Sequence, residues 1–167
     1  MDLNNLLKNM TLGQKLAQIS QYTANCMDVS VSGDVTGPAQ RLDLKKEDIF
    51  SVGSVLNFGT ATEMRNLQKH HLENDPNKIP MLFMLDIVHG YKTIYPIPLA
   101  LGASFDTGIV EECSDMASEE MSRGGVHVTF APMVDLVRDP RWGRCMETTG
   151  SRAATLVLLQ SIMQTVQ

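Results

Sequence analysis

Long apolar runs, runs of like charge and paired cysteines are all missing from this 167-residue chain. Each absence removes a class of function. No apolar stretch approaches the roughly 20 residues that cross a bilayer core, so no membrane partner is expected. The opening Met1-Asp2-Leu3-Asn4-Asn5 lacks the cationic start and apolar core of a secretory signal, and a cytoplasmic location is the expectation. Acids outnumber bases 19 to 14, with no basic cluster, so nucleic acid is not an expected partner either. Aromatics make up only 5% of the chain, too few for a base-stacking surface. Cys26, Cys113 and Cys145 are odd in number and form no Cys-x-x-Cys pair. They read as free thiols of a reducing compartment. A Gly-rich phosphate loop and a Gly-x-Ser-x-Gly elbow are also lacking. No cofactor and no metal are expected.

What remains is the make-up of a globular domain, 43% apolar and 20% charged, with eleven methionines best suited to filling a core. The pattern alternates between helix and strand. Thr11-x-x-Gln14 has the capping-box form and precedes Leu12, Leu16 and Ile19, which predicts a helix over about 11–22. Residues 23–48, with Gly33, Gly37 and Pro38, read mainly as a loop. Ser51 to Phe58 reads as a buried strand. Thr60-x-x-Glu63 opens a helix to about 74 with Met64, Leu67 and His71 on one face. Ile79 to Leu85 is a continuous apolar run closed by Asp86, the pattern of a strand covered on both faces. A long loop with Pro96 and Pro98 follows. Asp106 caps a helix over about 107–123 whose apolar face carries Ile109, Val110, Cys113, Met116 and Ala117, and Gly124-Gly125 stops it. Val126 to Val134 is the third expected strand. Such alternation implies crossovers and a parallel sheet, an α/β fold.

Three places combine residues capable of chemistry. Asp86 stands at the C-terminal end of a strand, where β/α folds build their sites, and a carboxylate there can accept bonds from two neighbouring hydroxyls. It can equally cap the next turn or pair with an arginine. His89, three residues on, can brace the loop, with Gly90 allowing a tight turn; no third residue has metal-ligand spacing beside Asp86 and His89. Asp139-Pro140-Arg141-Trp142-Gly143-Arg144 holds the only tryptophan and two guanidinium groups. A planar donor fork suits adjacent sugar hydroxyls and an indole suits the apolar face of a sugar ring. A structural knot, with Arg141 or Arg144 paired to Asp135, Asp139 or Glu147, is the alternative.

These stretches together resemble the glycoside hydrolase family 3 N-terminal domain. The likeness is carried by Leu85-Asp86-Ile87-Val88-His89-Gly90-Tyr91, Pro96-Ile97-Pro98-Leu99-Ala100, Ser104-Phe105-Asp106, Phe130-Ala131-Pro132-Met133-Val134-Asp135 and Arg138-Asp139-Pro140-Arg141-Trp142-Gly143-Arg144. Order and spacing fit the bacterial β-glucosidases and β-xylosidases of that family. The resemblance implies a partial (β/α)8 barrel, roughly its first three strands and their helices, over residues 1–150. Residues 151–167 depart from the family pattern at Ser151-Arg152-Ala153-Ala154 and read as a divergent, frame-shifted or disordered tail.

By the same resemblance Asp86 and Arg144 bind the non-reducing-end sugar of a β-glucoside or β-xyloside, with His89 and Trp142 supporting the site. Family chemistry is retaining hydrolysis, with a nucleophilic carboxylate and an acid/base carboxyl about 5–5.5 Å apart. Both matching positions, and the Lys-His pair that also grips the sugar, fall beyond Gln167. The chain is therefore expected to carry no catalytic residue and to be inactive alone. A non-catalytic sugar-binding module, or one half of a split enzyme whose partner supplies the rest of the barrel, are the alternatives.

Overall fold

The computed structural model describes residues 2–23 and 51–150, together with Cys26, Arg41, Asp43 and Lys45. Most of the expected loop over 23–48 and all of the tail over 151–167 lie outside the described residues. These residues form two compact units. One holds the chain up to Leu85 and Gly125–Val128; the other holds Asp86–Gly124 and the residues from Thr129 on.

In the first unit, helix α1 (Leu3–Asn9) starts at Asp2, whose Oδ1 accepts from the Asn4 N–H at 3.0 Å. The sequence reading did not anticipate it. Helix α2 (Leu12–Gln18) opens with the expected capping box: Gln14 N–H donates to Thr11 Oγ1 and Thr11 N–H to Gln14 Oε1. It ends four residues earlier than expected, because Gln21–Thr23 form strand β1. Strand β2 (Ser54–Leu56) lies beside β1 and is parallel to it, Tyr22 opposite Val55. Gly53 leads into β2 under the end of α2, its N–H bonded to Ala17 O at 2.8 Å. A Cβ there would collide with the Gln18 backbone.

Helix α3 (Ala61–Asn74) carries the second capping box, Thr60 with Glu63, and buries Met64, Leu67 and His71 as the periodicity predicts. His71 Nε2 donates to Ile79 O at 2.7 Å. Gln68 bonds both polar groups of Met81, accepting from its N–H at 2.9 Å and donating to its carbonyl at 3.0 Å. Those two bonds hold Met81 to α3 just before strand β3 begins. Strand β3 (Leu82–Leu85) runs parallel to β2, Val55 opposite Phe83. Val52, Val55, Met64, Met81, Phe83 and Val126 form the core, with Val55 fully buried.

Strand β4 (Val128–Thr129) completes the order β1-β2-β3-β4. Two residues replace the nine expected over Val126–Val134. Side chains take the ladder's place: His127 N–H donates to Phe83 O at 2.8 Å, but Phe83 N–H is received by His127 Nδ1 at 3.0 Å, with the two rings stacked. Farther on, Thr129 Oγ1 accepts from the N–H of Ala131 at 3.3 Å, and Pro132 has no N–H to offer. The class is α/β with parallel strands, as expected; the strand count is four among the described residues, not three.

In the second unit, the supposed loop after Pro96 contains helix α4 (Pro98–Ser104) with Pro98 at its first turn, where a missing N–H costs nothing. Helix α5 (Thr107–Arg123) has the expected limits. Asp106 Oδ1 caps it through Gly108 and Ile109, and Gly125 takes the left-handed conformation after its end. Of the expected apolar face only Val110 and Ala117 are buried; Ile109 and Met116 are exposed.

Candidate functional site

The loop after β3 is built from the second unit's own groups. Ile87 is buried and its N–H donates to Thr129 Oγ1 at 3.2 Å. Gly90 adopts φ 115°, and a Cβ there would run into the Thr93 carbonyl, so the turn requires glycine. Tyr95 N–H donates to His89 O at 2.8 Å and closes the turn. From α5, Glu120 accepts the N–H groups of Lys92 (2.8 Å) and Thr93 (2.9 Å) and the Thr93 hydroxyl (3.0 Å). These bonds, Thr93's first, hold the Glu120 carboxyl below its ordinary value. Sequence reading missed this clamp, since an acid on a helix surface does not announce which loop it will meet.

Asp86 is exposed at the start of this loop. His89 is half-buried; its Nδ1 is enclosed and makes no hydrogen bond among the described residues. The loop's brace therefore runs through the His89 carbonyl. The ring borders a cavity of about 120 Å³ between the loop and α5, lined also by Ile87, Tyr95, Cys113, Ala117 and Pro132.

The Asp139–Arg144 segment resolves the choice of arginine partners. Arg141 folds back on Asp139, its Nε at 2.9 and 3.0 Å from the two carboxylate oxygens, while its N–H also donates to Oδ1. That contact lowers the Asp139 pKa, and the Arg141 side chain stays 89% exposed. For Arg141 the structural reading holds. Trp142 N–H donates to Asp139 O, and the indole is about one-third exposed.

Arg144 pairs with Glu147. Its Nε lies 3.1 Å from both carboxylate oxygens and its Nη2 2.7 Å from Oε2. The guanidinium is held above its ordinary pKa chiefly by those bonds, and further by the charges of Glu147, Asp86 and Asp135. The charges of Asp86 and Asp135, named separately in the sequence, thus both act on Arg144 inside one unit. All three are exposed. The arrangement offers carboxylate acceptors and guanidinium donors to a ligand rich in hydroxyl groups.

Comparison with known proteins decides the family. The model of the glycosyl hydrolase family 3 N terminal domain matches residues 11–167. The chain belongs to that family. It is 35% identical over 148 residues to a periplasmic β-glucosidase of Salmonella typhimurium, a match covering 89% of this chain and 18% of that protein. It is 27% identical to β-xylosidase/α-L-arabinofuranosidase 1 of Medicago sativa subsp. varia, over 81% of this chain and 18% of that one. Among solved structures, a mutant β-glucosidase from Listeria innocua in complex with laminaribiose superposes with a TM-score of 0.88 at 37% identity, covering 99% of this chain and 24% of that one. The chain thus spans about a fifth of the length of these relatives, and its α/β architecture matches part of their N-terminal barrel domain.

Proposed function

We propose that this family 3 chain supplies part of the subsite that holds the terminal sugar of a β-glucoside or β-xyloside in a retaining glycosidase. Asp86 accepts hydrogen bonds from two neighbouring sugar hydroxyls, and Arg144 donates to one of them with the part of its fork that Glu147 leaves open. Trp142 and His89 support the site, the first as an apolar surface and the second through its loop. Residues 1–150 form the N-terminal part of the barrel domain. The observation carrying this reading is that Arg144, held by Glu147 through Nε and Nη2, keeps its Nη1 edge outside that pair at an exposed position, in the same unit as the exposed Asp86 whose charge acts on it.

Retaining hydrolysis needs a nucleophile and an acid/base about 5–5.5 Å apart across the scissile bond. Asp86, committed to sugar hydroxyls, fills neither role, and the 167 residues hydrolyse no glycoside alone. Titration with D-glucose, followed by NMR, tests the holding role. Binding should be millimolar or weaker and should vanish in Asp86→Ala and Arg144→Ala. Unchanged binding in both variants would contradict it.

The remaining elements of the barrel are expected to cover this part of it, as a second polypeptide in the split-enzyme alternative. Support comes from large apolar side chains left in solvent, among them Leu12 (72% exposed), Ile19 (82%) and Phe105 (79%).

A further inference from the structure

An arginine fork has five N–H donors in one plane. Glu147 engages the Nε edge of Arg144 and one Nη2 donor, leaving both Nη1 donors outside the pair. The acid is the more sheltered partner, its side chain 27% exposed against 57% for Arg144.

Glu147 is also firmly seated. It ends a 3-10 turn, Cys145–Glu147, closed by Glu147 N–H to Arg144 O at 3.1 Å and Thr148 N–H to Cys145 O at 3.4 Å. The next residue, Thr148, is fully buried and bridges to Met133. Its hydroxyl donates to Cys145 O at 3.3 Å and accepts from Gly150 N–H at 3.2 Å. Thr149 packs against Gly102 of α4 so closely that any side chain at 102 would strike its backbone. An exposed arginine, by contrast, is mobile unless something holds it.

We infer that Glu147 is a positioning and specificity-determining residue: it fixes one edge of Arg144 so that the other is presented to a neutral sugar. The inference rests on the reading of Arg144 as a sugar ligand. Two effects follow from the pairing. The sugar need not order the long side chain itself, which raises affinity about two- to tenfold. The Glu147 charge also offsets that of Arg144, and the negative charges of Asp86 and Asp135 act on the same guanidinium. Such a site repels a sugar carboxylate and admits an uncharged ring.

The test uses the full chain and its Glu147→Gln and Glu147→Ala variants, titrated with D-glucose and with D-glucuronate. NMR follows the Trp142 indole N–H and the Arg144 Nε–H, and circular dichroism checks that each variant is folded. Glu147→Gln, nearly isosteric, should bind glucose about two- to tenfold more weakly. It should gain affinity for glucuronate, and its Arg144 Nε–H signal should broaden. A merely structural acid would not alter the preference between the two sugars. Unchanged affinities and an unchanged Nε–H signal in folded variants would overturn the inference while leaving Arg144 as a ligand. No glucose response in the wild-type chain would instead overturn the sugar-ligand reading, and the inference with it.

Discussion

Glu120 shows how one side chain can fix a loop from outside it. Its carboxylate gathers two backbone N–H groups and a hydroxyl from Lys92 and Thr93, three residues past the turn that carries His89. Because its folded pKa is lowered, its contribution to stability is present above the ordinary glutamate value of 4.5 and is lost as pH falls through the lower folded value. The Lys92 and Thr93 amides should therefore be protected from hydrogen exchange near neutrality and lose protection in acid. Glu120→Gln should remove most of that pH dependence; equal protection in both proteins at every pH would contradict the clamp. At this scale motifs single out Asp86 and Arg144 in the sequence, but not the groups that hold them. The sequence could not choose among Asp135, Asp139 and Glu147 as arginine partners, because local turns set those distances, and each arginine took an acid two or three residues away.

Elements were legible where a local signal starts or stops them. Thr11-Gln14, Thr60-Glu63 and Asp106 each cap the helix they were expected to cap. Thr60→Ala should cost about 1 kcal/mol of stability, read from a denaturant midpoint shift. Where a side chain replaces a backbone bond, periodicity misleads. The run from Val126 to Val134 reads as a strand, yet His127 Nδ1 and Thr129 Oγ1 accept N–H groups that a longer ladder would have taken. Thr129→Val would leave the Ile87 and Ala131 N–H groups without that acceptor and should cost about 1–3 kcal/mol. A variant as stable as wild type would show that the hydroxyl is dispensable. Helices α1 and α4, seven residues each, are too short for periodicity to reveal.

Across the whole molecule, much apolar surface faces solvent. Leu3, Leu7, Leu16 and Ile19 line a groove of about 490 Å³ beside α1 and α2, and Phe130 and Val134 are exposed in the second unit. Surfaces of this kind mark contacts with other polypeptide. The purified chain should self-associate with rising concentration in sedimentation velocity, and a monomer at all concentrations would contradict that expectation. The family itself was legible because several motifs occur in order, a signal that the 37% identity to a solved β-glucosidase bears out. The proposal that these residues hold a sugar without breaking its bond can be checked by release of nitrophenol from an aryl β-glucoside. No release above buffer is expected from the purified chain. Sustained release that disappears in Asp86→Ala would contradict it, since Asp86 would then be breaking the bond it is assigned only to hold.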